Sequence, residues 1–377
     1  MNTTLSTSQE AQMELYRIFA REQVAPIAQL LETRQSSLKE LLSAAGQKGY
    51  MGLSVPKEYG GSGLPFFDVV LFTEQLAFFE PGLGLSMASH TAVIELLKKY
   101  GSDNQKSRYL PLLARGECIG AVAFNEAKAG TDFEATQTLV SNKDGKATIS
   151  GSKTWVVNGD ICGVLVVLAK SEDGALAIYL LDVAPSKTMV ISGDKPKLGM
   201  RSQSTNDIHF TEQVLSGEAL LSAGNSTVHE QVLFAMDIAK VIMSGAAVGL
   251  SEGALECAAE YARTREQFGQ SIGNLQAIQW KLADISLDSR ASRLLTYRAA
   301  WSKDNDTTSF RKNAAMAKAM SARTARLQSA EALQVMGAEG ISADSPLERF
   351  YRDSKVMEIV EGTSEYQKVL LTKELGI

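Results

Sequence analysis

Residues 350–368 read F-Y-R-D-S-K-V-M-E-I-V-E-G-T-S-E-Y-Q-K, and the rest of the chain is organised around them. Val356, Ile359 and Val360 form an apolar lead into Glu361. Gly362 then breaks the local structure, and Thr363 or Ser364 is placed to cap a following helix. A carboxylate held between a break and a cap is positioned by backbone on both sides. By itself the pattern also describes a solvated glutamate at a helix start, where the helix dipole favours negative charge.

A chain of 377 residues exceeds one ordinary hydrophobic core and implies two or three domains. Hydrophobic residues make up 45% of it and there are only 8 prolines, as in a packed globular protein. A net charge of −5 argues against nucleic acid or an anionic membrane as electrostatic partner. Cys118, Cys162 and Cys257 are far apart and form no C-x-x-C pair, while His90, His209 and His229 have no metal-ligand spacing. Neither disulfides nor a metal is expected. The polar start (N-T-T-L-S-T-S-Q-E) has no basic and apolar leader pattern, and no stretch reads as transmembrane, so the expectation is cytoplasmic.

The hydrophobic period changes twice along the chain. Residues 1–115 read as a helical domain, with Leu15, Ile18 and Phe19, then Leu41, Leu42 and Ala45, then Val93, Leu96 and Leu97 at helical spacing. Pro56, Gly60, Gly61 and Gly63 mark a loop between them. G-L-G-L at 82–85 lacks the third glycine and preceding strand of a dinucleotide fingerprint. Residues 116–226 turn strand-like, with runs such as V-L-V-V-L and L-A-I-Y-L-L, and S-E-D-G (171–174) reads as a tight turn between these two. From 227 to 377 long helices return; Ile278, Leu282 and Ile285 mark one apolar stripe, and Met316 and Met320 another. Gly245, Gly249 and Gly253 repeat every four residues, which implies close approach of a neighbouring helix. The layout predicts an α+β protein: an N-terminal helical domain, a middle β-domain and a C-terminal four-helix bundle.

I-V-E-G-T-S-E-Y-Q resembles the C-terminal motif of acyl-CoA dehydrogenases, and the same order of domains is theirs. Further stretches carry the resemblance over nearly the whole chain. A-F-N-E-A-K-A-G-T-D (123–132) is similar to the family's flavin-contacting segment. K-T-W-V-V-N-G (153–159) is similar to the segment whose tryptophan packs on the isoalloxazine. R-E-Q-F-G (265–269) resembles the motif that reaches across a dimer to the neighbouring flavin's diphosphate, and Q-V-M-G-A-E-G-I (334–341), with Asp344, Arg349 and Asp353 behind it, resembles a second family signature.

The resemblance implies FAD as cofactor and Glu361 as the base that removes the α-proton of an acyl thioester. It implies flavin contacts from Phe124, Asn125, Gly130, Thr131, Trp155, Val157, Arg265, Gln267, Phe268, Gln334, Gly337, Ala338, Thr363 and Glu365, and substrate contacts from Thr131, Val360 and Gly362. Asp237 and Lys240 stand where the family has an Asp and an Arg near the pantetheine arm and the base. Asp237 would hydrogen-bond the pantetheine or remain a solvated helix acid. A homotetramer built as two dimers follows from Arg265, Gln267 and Phe268 serving a partner's flavin.

The chemistry makes the same demands from below. Hydride leaves a carbon lying against the flavin while a base takes the neighbouring proton from the opposite side. The developing enolate needs hydrogen-bond donors at the thioester oxygen. The resemblance implies the backbone N–H of Glu361 and a ribityl hydroxyl in that role. The base must also be shielded, because a desolvated glutamate is the stronger base.

Departures from the family pattern narrow the reading. Asn125 and Val157 replace threonines that hydrogen-bond the flavin, Lys128 replaces a glycine, and Val360 stands where a tyrosine commonly precedes the glutamate. The S-E-D-G turn is shorter than the loop that helps hold the adenosine of CoA in medium-chain enzymes. Together these resemble the prolyl-carrier-protein dehydrogenases and oxidases of secondary metabolism. An acyl or peptidyl carrier protein would then present the substrate, with oxygen or an electron-transfer flavoprotein as acceptor. The alternatives are an ordinary acyl-CoA dehydrogenase using a CoA thioester, and a non-catalytic flavin-binding scaffold.

Overall fold

The computed structural model describes residues 5–143, 146–221 and 227–374. The first helices are α1 (Thr7–Phe19), α2 (Ala28–Glu32), α3 (Leu38–Gln47), α4 (Phe66–Ala77), α5 (Gly82–Tyr100) and α6 (Asp103–Ala114). Capping boxes start α1 (Ser6 with Gln9) and α6 (Ser102 with Gln105), each satisfying two backbone donors that the helix cannot. In α1 the expected apolar face is partly wrong: Phe19 is buried, but Leu15 and Ile18 are 50% and 39% exposed. Tyr16 and Phe19 turn inward instead, because they join Tyr50 and Phe72 in a ring cluster with centroids 5.0–5.9 Å apart. Aromatic faces bury more area than the two aliphatics they displace.

The middle of the chain forms a seven-stranded sheet from β1 (Gly120–Ala123), β2 (Leu139–Lys143), β3 (Lys146–Val157), β4 (Val164–Ser171), β5 (Leu176–Asp182), β6 (Met189–Ile191) and β7 (Thr205–Val214). Strand β4 is buried on both faces. Val164, Val166 and Leu168 enter the core shared with the helices, whereas Leu165, Val167 and Ala169 enter a second core behind the sheet. That is why V-L-V-V-L runs apolar without alternation. Its hairpin to β5 closes through the S-E-D-G turn, with Gly174 at φ +85° and its N–H on the Ser171 carbonyl at 2.8 Å.

The C-terminal part holds α7 (Val228–Thr264), a hairpin of β8 (Glu266–Gln267) and β9 (Gln270–Ser271), then α8 (Gln276–Asn305), α9 (Thr307–Met336), α10 (Pro346–Met357) and α11 (Ser364–Glu374). Contrary to the sequence expectation, α7 is long and apolar enough to span a membrane, with mean hydropathy 1.7 over its most apolar window. It is apolar all round because it is the central helix of the helical core, and 83% of that window is buried. On α9 the methionine stripe faces only partly inward: Met316 is 38% exposed and Met320 half-buried, while Ala314, Ala317, Ser321 and Ala325 are buried. Small residues let α9 lie close to its neighbours.

The glycine row on α7 does what its spacing implies. A Cβ at Gly249 would lie 2.1 Å from the Glu74 carbonyl oxygen, and one at Gly253 would lie 2.3 Å from that of Phe78. Helix α4 therefore touches α7 backbone to backbone. Gly249→Ala should destabilise the protein by about 1–3 kcal/mol through overpacking, despite alanine's helix advantage of about 1 kcal/mol. Thermal unfolding of the variant checks this, and a stabilised variant would show that the helices are not in contact there.

Candidate active site

Helix α10 ends at Met357, and the chain turns through 358–363 before α11 begins. The turn is closed by Val360 N–H on the Val356 carbonyl (3.1 Å) and Ser364 N–H on the Glu358 carbonyl (3.1 Å). Thr363, rather than Ser364, is the cap: its Oγ1 accepts from Tyr366 N–H at 3.3 Å. Gln367 Nε2 reaches back from α11 to the Gly362 carbonyl at 2.9 Å. Glu361 itself sits at φ +56° and Gly362 at φ +89°. A left-handed glutamate is costly and persists only where its surroundings over-determine it. The positive φ favours glycine at 362, and a Cβ there would also displace Gln367 Nε2, 2.7 Å away.

The Glu361 carboxyl is held above the usual carboxylate range because burial removes its water, while the ammonium groups of Lys318 and Lys240 pull the other way. Both lysines are buried at 1% and 0% exposure. Lys240 Nζ donates to Asp237 Oδ1 at 2.7 Å and lies 5.7 Å from the Tyr366 ring centroid. The second Asp237 oxygen accepts from Arg311 Nε at 2.9 Å. Asp237 is thus no solvated acid: it is 1% exposed and charge-paired on both oxygens.

A cavity of about 380 Å³ opens beside this cluster, lined among others by Thr131, His229, Arg311, Lys312, Tyr366 and Lys373. It joins the middle domain to α7, α9 and α11. Its wall presents Arg311, not Asp237, to an entering ligand. From the cavity inward the charges run from Arg311 to Asp237 to Lys240, beside which Glu361 lies.

The expected flavin segments meet on the β-domain. Pairing of β3 with β7 slips between Lys153 and Val156, and within that irregularity Trp155 takes φ +56°. The bulge turns the indole outward, leaving it 52% exposed. Freed from β7, Thr154 N–H pairs with the Asn125 carbonyl at 2.9 Å, which ties the two segments together. Buried Lys153 locks the same junction, donating to Glu126 Oε1 (2.7 Å), Thr136 Oγ1 (2.8 Å) and the Phe124 carbonyl (3.3 Å). The ammonium and the hydroxyl donors of Thr136 and Thr138 hold the Glu126 carboxyl down at about 2 against its partial burial.

The residues offered to a flavin are of two kinds. Asn125, Gly130 and Thr131 are exposed on the segment that the Thr154 N–H ties to β3, and the Trp155 indole is half-exposed with Lys195 Nζ 5.2 Å from its ring centroid; an aromatic face near polar groups suits a planar ring system. Phe124 and Val157 instead pack into the helical core, so any contact from Phe124 comes through its backbone. Gln267, Phe268, Gln334, Gly337 and Ala338 are also exposed, Phe268 by 90% and at φ +54°. Arg265 N–H bonds the Tyr261 carbonyl at 2.8 Å, and Ser271 Oγ the Ala262 carbonyl at 2.6 Å, so the β8–β9 hairpin is anchored on α7. The hairpin thus holds its aromatic tip in solvent. Glu365 is exposed on the first turn of α11, and Thr363 is engaged in the cap.

Sequence reasoning passed over Lys318, Arg311, His229 and the Lys153–Glu126 pair. For Lys318 a signal existed: Ala314, Ala315, Ser321, Ala322 and Ala325 surround this charge at helical spacing.

Three domain families match the chain: acyl-CoA dehydrogenase N-terminal domain over residues 6–117, middle domain over 121–213 and C-terminal domain over 230–376. A probable acyl-CoA dehydrogenase of Bacillus subtilis is 32% identical, and a short-chain specific acyl-CoA dehydrogenase of Clostridium acetobutylicum 31%, each alignment covering 100% of both chains. Among solved structures, butyryl-CoA dehydrogenase of Megasphaera elsdenii superposes with TM-score 0.94 at 27% identity over 100% of both chains. A chain solved in work on the electron transferring flavoprotein of Acidaminococcus fermentans gives 0.94 at 29% identity, covering 100% of this chain and 99% of that one. A prolyl acyl carrier protein oxidase gives 0.91 at 27%, covering 99% of this chain and 100% of its own.

Proposed function

We infer the function from one premise: the chain belongs to the acyl-CoA dehydrogenase family, by all three of its domains. It is a flavin-dependent oxidoreductase that acts on the CH–CH bond of acyl thioesters, with FAD as cofactor. We propose α,β-dehydrogenation of a short acyl thioester with Glu361 as the base. The observation that carries this is Glu361 itself, held left-handed, half-buried and within the field of two buried ammonium groups.

Bound FAD supplies the hydride acceptor. The protein's part is to hold the thioester, exclude water and take the α-proton on a Glu361 carboxylate oxygen. Desolvation raises the proton affinity of that oxygen, and the lysines keep it ionised while the site waits. The positive φ at Glu361 turns its own N–H away from helical pairing, which frees it as a donor to the thioester oxygen. The flavin would rest on Trp155 and the rim of Asn125, Gly130 and Thr131. Phe268 and Gln267, with Arg265, Gln334, Gly337 and Ala338, would serve the flavin of a second copy. Supporting that assembly, α8 exposes Trp280, Leu287 and Leu294 by 62%, 68% and 49%, one residue every seven along its outer side. We propose a homotetramer on these grounds.

The whole-length relatives support a CoA thioester as substrate and an electron-transferring flavoprotein as acceptor. A second reading, a prolyl group on a carrier protein with oxygen as acceptor, is favoured by Val360 and by the short β4–β5 turn. Anaerobic bleaching of the bound flavin, with prolyl carrier protein set against a panel of acyl-CoAs, decides between them. No bleaching by any thioester would leave only a flavin-binding scaffold. Val360→Tyr sharpens the comparison. If valine leaves room for a ring, added bulk should slow a prolyl thioester by roughly one to two decades and a straight four-carbon thioester much less. Equal losses with both acyl groups on one carrier would remove Val360 as the selector.

A further inference from the structure

Lys318 presents a puzzle in the fold. It lies in the middle of α9 at 1% exposure, among the small side chains of Ala314, Ala315, Ala317, Ser321 and Ala322. Among the described residues no carboxylate is within ion-pair distance of it, and its Nζ has one hydrogen-bond partner, the Met357 carbonyl at 2.5 Å. Taking an ammonium out of water costs several kcal/mol unless something offsets it. Other buried lysines of this chain have their counter-charge at hand: Lys153 has Glu126 and Lys240 has Asp237, each at 2.7 Å. Lys318 does not, and the carboxylate whose charge it feels first is Glu361.

Met357 is the last residue of α10, and its carbonyl marks the point where the chain leaves the helix for the turn that carries the base. One ammonium thus grips the root of that turn and lies within the field of its carboxylate. Resting on the assignment of Glu361 as base, we propose that Lys318 is a positioning residue for proton abstraction. It clamps the exit of α10 and supplies an unpaired positive charge that favours the ionised form of Glu361.

The other charged groups around the turn do not fill this role. On α7, Lys240 is already compensated by Asp237, which also takes Arg311 of α9. In the turn, Glu358 is paired with Arg326 of α9 and Lys355 of α10. On α11, Tyr366 is a neutral phenol whose ionisation burial pushes up. Burial lowers the Lys318 ammonium to about 8, so its charge is fullest on the acid side of that value. The informative limb is therefore the acid one.

The test reads the base without the redox step. An acetyl thioester has no β-carbon and cannot be dehydrogenated, so exchange of its α-protons in D₂O reports proton abstraction alone. The wild-type holoenzyme should show exchange that rises with pH through the raised Glu361 titration. Lys318→Met should move that acid limb up by about one pH unit or more, as expected when a neighbouring opposite charge is lost, and so slow exchange about tenfold below it. Lys318→Arg, which keeps the charge, should leave the limb where it is even if the rate falls. Should Lys318→Met fail to fold, Lys318→Gln keeps a donor for Met357, removes the charge and reads the same limb. A uniform loss with the limb unmoved, or an equal shift in the arginine variant, would overturn the proposal. Absence of exchange and of flavin bleaching in the wild type would instead overturn the assignment of Glu361.

Discussion

Glu361→Gln should yield a folded, yellow protein with the FAD content of the wild type and roughly three or more decades less flavin reduction by its thioester substrate. The loss is the upper range for removing a positioned base, since an amide cannot accept the proton. The fold should survive because the turn is held by main-chain bonds and by Thr363 and Gln367, none of which uses the glutamate side chain. The isostere also removes a carboxyl whose ionised form burial disfavours, so stability should be unchanged or slightly raised near neutral pH. The sign follows from the raised folded-state value: a carboxyl shifted upward favours the fold at low pH, and that contribution is lost as pH rises through it. Anaerobic stopped-flow reduction, with thermal unfolding beside it, checks both halves. Near-normal reduction would move the base elsewhere. Asp237 is poorly suited to replace it, with both oxygens already bound to cations.

The parts of this molecule visible in the sequence were those fixed locally. The break at Gly362, the tight S-E-D-G turn and the close-packed row of Gly245, Gly249 and Gly253 each follow from what one residue permits its backbone to do. What escaped were choices made between elements. Tyr16 outcompeted Leu15 and Ile18 for the inside of α1 only because Tyr50 and Phe72 were waiting there. The helical period alone cannot distinguish those faces. Likewise Asp237 reads as an ordinary helix acid until α9 brings Arg311 against it from 74 residues away. Trp155, Phe268 and Glu361 were marked as site residues by resemblance, yet their positive φ values could not be read from residue type, since none is glycine or asparagine. Three residues assigned to cofactor or proton chemistry share a backbone state that costs energy. Strain of this kind gathers where a side chain must be aimed rather than merely packed.

Arg349→Met should be the most damaging single change away from the reacting atoms. Arg349 is 4% exposed on α10 and its guanidinium meets three acceptors on two parts of the chain: Glu80 Oε2 at 3.0 Å and the neighbouring Phe79 carbonyl at 3.0 Å, and Gln29 Oε1 at 3.0 Å. Beside it the buried carboxylates Glu32 and Asp353 complete the cluster; Arg352 pairs with Glu32 at 2.9 Å, and Asp353 accepts the N–H of Met200 from the β-domain. Removing one partner of a buried pair leaves a charge with no compensation, which typically costs about 3–5 kcal/mol. For a chain of this length that corresponds to a fall of about 4–6 °C in Tm. The deficit should depend on pH in a definite direction. Burial already raises Glu80 and Asp353, and Arg349 is what restrains them, so both should rise further in the variant. Below the ordinary carboxylate range both acids are neutral whether the chain is folded or not, and the penalty of an unpaired charge vanishes. The difference in Tm should therefore be smaller near about pH 5 than near about pH 8. Arg349→Lys should recover only part of the loss, since an ammonium cannot span the three acceptors as a planar fork does. A deficit independent of pH would place the damage in packing rather than charge. Because α10 delivers Met357 to Lys318, even a folded Arg349 variant should also loosen the turn that aims Glu361.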